Sequence, residues 1–343
     1  MGVRHEDSGP ERGDAGVSRR AFGRTVAGIG AGLASAGGLL PSILTPSMAR
    51  AEARAAAKGK NAGAETAVKR FYDTLTDEQK STICFPFEHE LRKKINANWS
   101  ITKPSIGSDF YKPDQRKLLD EVFRGITSPD GYERFITQMD DDSGGFDAYS
   151  VAVFGTPGTG EFEWELTGRH LTARADGDSV TGAAFGGPIV YGHGAGDGEK
   201  GLPGNVFYYQ TQKANEVFKA LDGTQRKAAL LSKAPKEDSV KVQGAEGSFS
   251  GLKVGDMSSD QKELVESVMK VLLAPYRESD TEEAMAILKD GGGVDALRMA
   301  FYESDDLGGD HEWDLWRLEA PNFVWHFRGA PHVHCYVNIA KKA

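Results

Sequence analysis

The fold of this chain is decided by an alternating pattern of residues that occurs twice. Residues 162–168 read Phe-Glu-Trp-Glu-Leu-Thr-Gly, and residues 323–329 read Phe-Val-Trp-His-Phe-Arg-Gly. Successive residues of a β-strand point to opposite faces of the sheet, so large apolar side chains at every second position predict a strand with one buried face. Because several residue types recur in the same order, we interpret the two stretches as copies of one structural unit.

The segments before these strands repeat as well. An apolar helical pattern begins at Asp114-Gln115-Arg116 after Pro113, and another begins at Asp260-Gln261-Lys262 after Ser258-Ser259. Each pattern is followed by a second helix and by an Asp- and Gly-rich turn. These are predicted at Gly131–Met139 and 141–145 in the first copy, and at Val294–Tyr302 and 305–309 in the second. An extra helix is predicted ahead of each copy, within residues 65–83 and 211–231.

After each turn the sequence predicts a β-hairpin. The first joins Tyr149–Phe154 to Phe162–Arg174, and the second joins Trp313–Leu318 to Phe323–Ile339. The predicted fold class is therefore α+β, with two related helix-plus-β-hairpin halves packed about a pseudo-twofold axis. The expected boundaries are 1–51 for a signal peptide, 52–232 for the first half, 233–257 for a connector and 258–343 for the second half, with 52–343 as one mature domain.

The N-terminal segment has the pattern of an export signal. Ser18-Arg19-Arg20-Ala21-Phe22 places paired arginines before a bulky apolar residue, and a Gly- and Ala-rich apolar run follows over residues 25–43. Ala49-Arg50-Ala51 then supplies the small residues that a signal peptidase reads. We expect recognition by the twin-arginine translocase, cleavage near Ala51, and a periplasmic, cell-envelope or secreted mature protein.

Charge and cysteine content narrow the classes of partner. Without residues 1–51, which hold six basic and four acidic residues, the totals of 41 and 50 fall to 35 and 46, a net charge of −11. This balance disfavours nucleic acid or an anionic membrane as the main partner, and no later segment is long and apolar enough for a membrane span. The two cysteines, Cys84 and Cys335, are compatible with one disulfide or with two buried thiols.

Three histidines form the candidate site. If the predicted strand after residue 162 continues, Trp164 and His170 share one face; if Ala330-Pro331 forms a bulge, His332 and His334 fall on the face of Trp325. Such a register places His170 and the His332-x-His334 pair at equivalent points of the two halves. Three neutral imidazoles can hold one zinc, copper or iron ion and leave a coordination position open for catalysis.

Further residues are assigned around this site as hypotheses. Trp164 and Trp325 would wall a cleft, and His193 in a glycine-rich loop would act as a lid or a fourth ligand. Glu165, Glu163 or Asp310 would accept hydrogen bonds from the metal-bound imidazoles. The alternative for the histidines is that they are solvated side chains on an exposed edge strand.

Two functions remain open at this stage. One is an exported metal-dependent enzyme acting on a small molecule, by oxidation or by hydrolysis. The other is a non-catalytic protein of the cell envelope that binds a small-molecule ligand or a metal. Neither the composition nor the spacing of the histidines separates them.

Several short motifs resemble a known family. They are Phe154-Gly155-x-Pro157, Phe162-x-Trp164-Glu165-x-x-Gly168-Arg169-His170-Leu171-Thr172, Phe185-Gly186-Gly187-Pro188 and Pro331-His332-Val333-His334. They resemble the bacterial family designated domain of unknown function 3500, over residues 71–338. That family's marks are a Gly-His-His-Leu-Ser stretch and a C-terminal His-x-His, so the resemblance implies a common fold and a histidine-rich site. Here Arg169 replaces the first histidine of the stretch, which puts a role for that position in doubt. The resemblance implies no particular activity.

Overall fold

The chain forms one mixed β-sheet with α-helices on one of its faces. The computed structural model describes residues 62–195, 204–304, 306 and 309–342. Over these residues the helices are α1 (Ala62–Asp73), α2 (Asp77–Ile83), α3 (Pro113–Ile126), α4 (Pro129–Ser143), α5 (Tyr208–Ala220), α6 (Gly223–Ala229), α7 (Ser259–Leu273) and α8 (Glu278–Asp290). The strands are β1 (Cys84–Phe85), β2 (Ser150–Gly155), β3 (Phe162–Gly168), β4 (Leu171–Ala175), β5 (Ile189–His193), β6 (Leu230–Leu231), β7 (Leu252–Lys253), β8 (Arg298–Tyr302), β9 (Leu315–Ala320), β10 (Phe323–Arg328) and β11 (Val333–Ile339).

Residues 1–51, predicted to form the signal peptide, lie outside the described residues. Among the helices that are described, none has both the length and the apolar character needed to cross a membrane. The two cysteines do not pair with each other: Cys84 is half-buried and Cys335 is buried, each as a free thiol.

Four helices have a glutamine as their third residue, and its side chain caps the start of the helix. In α2, α3, α6 and α7 the side chain of the third residue accepts a hydrogen bond from the backbone N–H just before the helix, at 2.9–3.0 Å. The glutamines also bond to one another in pairs, Gln79 with Gln115 and Gln225 with Gln261. The members of each pair are 36 residues apart. The starts of α2 and α3 and the starts of α6 and α7 are therefore held by like contacts, whereas a pseudo-twofold relation between two halves stays a prediction.

All eleven described strands belong to one sheet. Its order is β1-β2-β3-β4-β5-β11-β10-β9-β8-β6, with β7 beside β8. The two-residue strands β1 and β6 pair in parallel with β2 and β8, and the other pairs are antiparallel. With the eight described helices this sheet confirms the predicted α+β class.

The two faces of the sheet are covered differently. On one face the helices enclose the main core, which contains Trp164, Trp316 and Trp325 of the sheet together with apolar residues of α3 and α7. On the other face lie segments without regular helices, where Ala97 and Val240 pack on strand residues. Strands of this sheet are therefore buried on both sides, which explains why alternate positions such as Glu163 and Glu165 are also inaccessible to solvent.

The helix predicted at Val294–Tyr302 is wrong. The second helix of that half is α8, and it ends before three consecutive glycines, Gly291 to Gly293. Residues 294–296 form a short 3-10 turn and residues 298–302 form β8, which lies between β9 and the short strands β6 and β7. A short apolar run fits a helix or a buried strand equally well in sequence, and here its neighbours in the sheet decide it.

The prediction of one long returning strand in each hairpin is also wrong, because each of these segments forms two strands joined by a turn. Residues 162–174 reverse direction at Arg169–His170, between β3 and β4. Residues 323–339 reverse at 329–332, between β10 and β11, where a bulge at Ala330-Pro331 was expected. His170 and His332 consequently lie in turns rather than on strands.

The predicted boundary at residue 232 falls within closely packed structure. Before it, β6 pairs with β8, and α5 packs against α7. Within the predicted connector 233–257, β7 also pairs with β8. The proposed division into halves stays a prediction about sequence organisation, and the sheet itself continues through both.

Acidic side chains gather between β4 and α8. Burial raises the pKa of Asp176 to about 7, of Asp280 to about 6 and of Glu283 to about 8, and repulsion between the carboxylates adds to this effect. In an unfolded chain such groups have a pKa of about 4. Because folding raises each pKa, their contribution to stability is present below pH 4 and is lost as the pH rises through 6 to 8.

The substitution Glu283→Gln removes one ionisation that the folded state resists. We expect the free energy of unfolding to rise by about 1–3 kcal/mol at pH 9 and to change little at pH 5. Urea denaturation at both pH values measures the change. Its exposed neighbour provides the control, since Glu282→Gln should shift stability by less than about 0.5 kcal/mol. An equal rise in both variants at pH 9 would contradict the assignment to Glu283.

Candidate metal centre

Two turns lie close together at one end of the strands of the sheet. Arg169–His170 joins β3 to β4, and residues 329–332 join β10 to β11. Antiparallel strands alternate in direction along the order β3-β4-β5-β11-β10. Both turns therefore lie at the same end of the strands. His332 lies in the second turn, and His334 lies just inside β11, opposite Gly192 of β5. The strand order thus brings His170 to His332 and His334.

Gly192 provides the space in which these residues meet. A Cβ added to Gly192 would lie 2.2 Å from the carbonyl oxygen of Val333 and 3.4 Å from the Cβ of His170. The first distance excludes any side chain at this position. The absence of a side chain therefore lets β5 and β11 pair closely with His170 directly above them.

His170 adopts a backbone conformation that is uncommon for a residue other than glycine, with φ of 58°. Three hydrogen bonds hold this turn: the His170 N–H donates to the carbonyl of Ala97, and the carbonyl of Arg169 accepts from the Tyr149 hydroxyl at 2.6 Å and from Gln138. Residues in such conformations persist where surrounding contacts over-determine them, and they concentrate at functional sites.

The three imidazoles form a compact triangle. The ring centroids of His170 lie 4.9 Å from those of both His332 and His334, and the last two are 4.7 Å apart. One ring nitrogen from each histidine lies within 4.8 Å of the others, and the Nε2 atoms of His332 and His334 are 2.9 Å apart. Zinc–nitrogen bonds of about 2.0–2.1 Å require nitrogens about 3.3 Å apart, so a small adjustment would complete a three-nitrogen site.

A buried carboxylate orients His170. Asp142, in the last turn of α4, lies 2.6 Å from Nδ1 of His170 and accepts further hydrogen bonds from Gln138 and from the Gly194 amide. Burial disfavours ionisation of Asp142, but these hydrogen bonds outweigh burial and hold its pKa below the usual value. In the neutral imidazole of His170 this contact favours the tautomer with the proton on Nδ1, so that Nε2 is the nitrogen that can bind a metal.

A second carboxylate orients His334 from the opposite face of the sheet. Both oxygens of Glu237 lie 3.3 Å from Nδ1 of His334, and Arg328 approaches the same carboxylate at 3.5 Å. Burial opposes ionisation of Glu237, yet its contacts with His334 and Arg328 keep its pKa below the usual value. Burial also lowers the pKa of His334 to about 4, despite the adjacent carboxylate. His334 is therefore neutral near pH 7, as a metal ligand must be.

A comparison with known protein families shows the family to which the chain belongs. The model of the family described as protein of unknown function (DUF3500) matches residues 58–338, most of the chain. The chain belongs to this family. Its three clustered histidines, Asp142 and Glu237 all lie within the matched span. Neither the curated proteins nor the solved structures contain a match to the sequence.

His193 of this DUF3500 protein is neither a lid nor a ligand of the cluster. It ends β5 and is fully buried. Its Nδ1 accepts a hydrogen bond from the Val206 N–H at 3.1 Å, and its Nε2 lies 3.1 Å from Asp141. Both ring nitrogens are thus engaged, and burial lowers the pKa of the imidazole. His193 therefore has a structural role, in which its ring connects the end of β5 to Val206 and to Asp141.

Two of the three predicted hydrogen-bond acceptors, Glu163 and Glu165, are wrong, and Asp310 stays a prediction. Glu165 is buried and contacts the Arg174 guanidinium at 2.6 Å, and Glu163 contacts the same guanidinium. Burial raises the pKa of Glu165 well above its usual value. Asp310 accepts a hydrogen bond from the backbone of Glu312. The residues that orient the histidines are instead Asp142, which was assigned to a turn, and Glu237, which was assigned to a connector.

The cleft predicted between Trp164 and Trp325 is also wrong. Both indoles are fully buried in the core beneath the helices. Nε1 of Trp325 donates to the Tyr191 hydroxyl and lies 2.9 Å from Sγ of Cys335. Since Cys335 and His334 are consecutive residues of β11, their side chains point to opposite faces. Trp325 therefore lies on the face opposite His334.

The predicted equivalence of His170 and His332 does not hold in the sheet. His170 lies between the third and fourth strands from one edge, whereas His332 lies between the fourth and fifth strands from the other. The two residues meet because their turns lie at the same end of the strands. The predicted residues come together, but for a different reason.

The substitution Asp142→Asn tests the buried contact with His170. Loss of the charge leaves buried donors without their ionised acceptor, so we expect the free energy of unfolding to fall by about 1–3 kcal/mol. Urea denaturation in the presence of a chelator measures it without a contribution from metal. The neighbouring Asp141→Asn, whose carboxylate is 50% exposed, should cost less than about 1 kcal/mol. Equal losses in the two variants would argue against a special role for Asp142.

Proposed function

We propose that this DUF3500 protein is a metal-dependent enzyme with one transition-metal ion held by His170, His332 and His334. The observation that carries the proposal is the orientation of the imidazoles. His170 and His334 each have a carboxylate at Nδ1, which would leave Nε2 of each ring to bind a metal ion. Histidine ligands of metals in proteins are characteristically held in this way.

The donor set fits the metals expected from the sequence. Three neutral imidazoles, without a thiolate among them, suit zinc, copper or iron. Asp142 and Glu237 already bond to the far sides of the rings, so they serve as orienting groups and not as ligands. Zinc would favour hydrolysis, whereas copper or iron would favour oxidation, and the identity of the metal is therefore the first fact to establish.

Two features favour a catalytic ion over a structural one. Structural zinc sites are closed by four protein ligands, whereas the clustered His, Cys, Asp and Glu side chains of the described residues provide three. His332 and His334 are also partly exposed, while His170 is buried. The remaining coordination position would then face solvent, where a metal ion acts as a Lewis acid and lowers the pKa of bound water. A small-molecule substrate could reach it from that side.

We further propose that the enzyme works outside the cytoplasm after export by the twin-arginine translocase. Arg19-Arg20 and the Ala49-Arg50-Ala51 segment support this location. Cleavage near Ala51 would leave the whole described fold intact, because its first described residue is Ala62. A folded domain that acquires its metal before export is consistent with that route.

Metal content tests the proposal directly. We expect about one equivalent of zinc, copper or iron per chain after dialysis, lost in the double variant His332→Ala/His334→Ala because one imidazole cannot hold the ion. Inductively coupled plasma mass spectrometry measures the stoichiometry. The exposed His311 gives the control, His311→Ala, which should retain the metal. A folded wild-type protein that neither contains nor takes up metal would refute the proposal.

Ligand exchange distinguishes an enzyme from a protein that uses metal only as a structural element or cargo. In the cobalt-substituted protein, added imidazole should enter the open position and change the visible absorption spectrum. Dialysis and metal analysis after the titration verify that cobalt is still bound. A spectrum that does not respond would indicate a closed site, and the catalytic part of the proposal would fail.

A further inference from the structure

An arginine with unused hydrogen-bonding capacity lies beside the three histidines. Arg328 ends β10 directly opposite His334 of β11, so the two side chains share one face of the sheet. Its Nε is buried without a hydrogen-bond partner among the described residues. Its contact with Glu237 is long, at 3.5 Å, and that carboxylate is also shared with His334. Arg328 is thus held next to the site with donors to spare.

The guanidinium of Arg174, which is almost fully buried, is satisfied differently. Arg174 donates to the carbonyls of Pro188 and Arg92 and also contacts Glu163 and Glu165. The side chain of Arg328 is 22% exposed, but its buried Nε has no acceptor among the described residues, and a buried donor without an acceptor costs free energy. A ligand that supplied the missing acceptor would remove this cost.

A second arginine approaches from the His170 side. Arg169 immediately precedes His170, and its side chain is 41% exposed. Its Nε lies 3.9 Å from Asp142, too far for a hydrogen bond, and one terminal nitrogen lies 3.3 Å from the position that a Cβ of Gly194 would occupy. Each orienting carboxylate therefore has one arginine nearby that it does not fully engage.

The charges around the cluster favour an anion. Asp142 and Glu237 balance Arg169 and Arg328, and the imidazoles are neutral when they bind a metal. With a divalent ion, these two arginines and two carboxylates would sum to a positive charge, and the sum stays positive when the half-exposed Asp141 is counted. A ligand with a negative group can compensate this charge and can also accept the fork of N–H donors of a guanidinium.

We propose that the metal centre takes a ligand with a carboxylate or phosphate group, which Arg328 binds next to the metal and Arg169 binds from the His170 side. The inference rests on the proposed function, because it assigns the chemical class of ligand to the same site. Arg328 acts in it as a specificity residue that contacts the anionic group. The two anions share the recognition chemistry, and the following experiment separates them.

Calorimetric titration of the metal-loaded protein with acetate, and separately with inorganic phosphate, tests the inference. One of the two anions should bind, and Arg328→Gln should weaken its binding at least about tenfold through loss of charge-assisted hydrogen bonds. Arg169→Gln should weaken it by about threefold or more, because that side chain is more exposed. The control is Arg298→Gln on β8, whose half-buried guanidinium donates to the carbonyl of Gly251 away from the cluster.

Arg328→Lys serves as a second variant in case Arg328→Gln is unstable. It keeps the positive charge but loses the two parallel donors, so binding should fall to a level between the wild type and Arg328→Gln. Metal content is measured on every variant and should be unchanged. Unchanged anion affinity in metal-loaded Arg328→Gln, or binding of neither anion by metal-loaded wild type, would overturn the inference.

Failure of the inference is distinguishable from failure of the proposed function. If the wild type contains no metal, the proposed function fails, and the same titrations are made on the metal-free protein. Anion binding that still depends on Arg328 would then support an anion site without a metal. Anion binding that does not depend on Arg328, or no binding at all, would overturn the anion site as well.

Discussion

Strands β5 and β11 pair over five residues at the centre of the sheet, from His193 opposite Val333 to Ile189 opposite Val337. This pairing joins strands β1 to β5 to strands β8 to β11. It also sets the direction of every strand on either side, so that the β3–β4 and β10–β11 turns emerge together. Gly192 permits the close approach within the pair. The meeting of His170 with His332 and His334 depends on this register, because a shift by one residue would turn His334 to the other face.

The cluster is held from both faces of the sheet. Helix α4 brings Asp142 to His170 on the helical side, and the segment after β6 brings Glu237 to His334 on the other side. A buried carboxylate is costly unless its oxygens are hydrogen-bonded, and Asp142 receives bonds from His170, Gln138 and the Gly194 amide. These contacts hold the rings of His170 and His334 in place, as is characteristic of histidines that bind metals.

Polar groups also determine how the rest of the structure is organised. The pairs Gln79–Gln115 and Gln225–Gln261 each connect the starts of two helices. In contrast, the carboxylates Asp176, Asp280 and Glu283 carry raised pKa values and make the packing of α8 sensitive to pH. Both features lie within the span matched by the DUF3500 family model.

The sequence by itself determined the α+β class, the starts of helices α3 and α7 and the identity of the three clustered histidines, because periodicity and residue type are local properties. It also pointed to family membership. It did not determine that residues 298–302 form a strand, that Trp164 and Trp325 lie in the core, or that Asp142 and Glu237 orient the imidazoles. Those features depend on contacts between residues far apart in the chain: Glu237 and His334 are 97 positions apart. Only the strand order of the folded sheet decides which of these distant side chains meet, since the local pattern of a strand does not specify which other strand lies beside it.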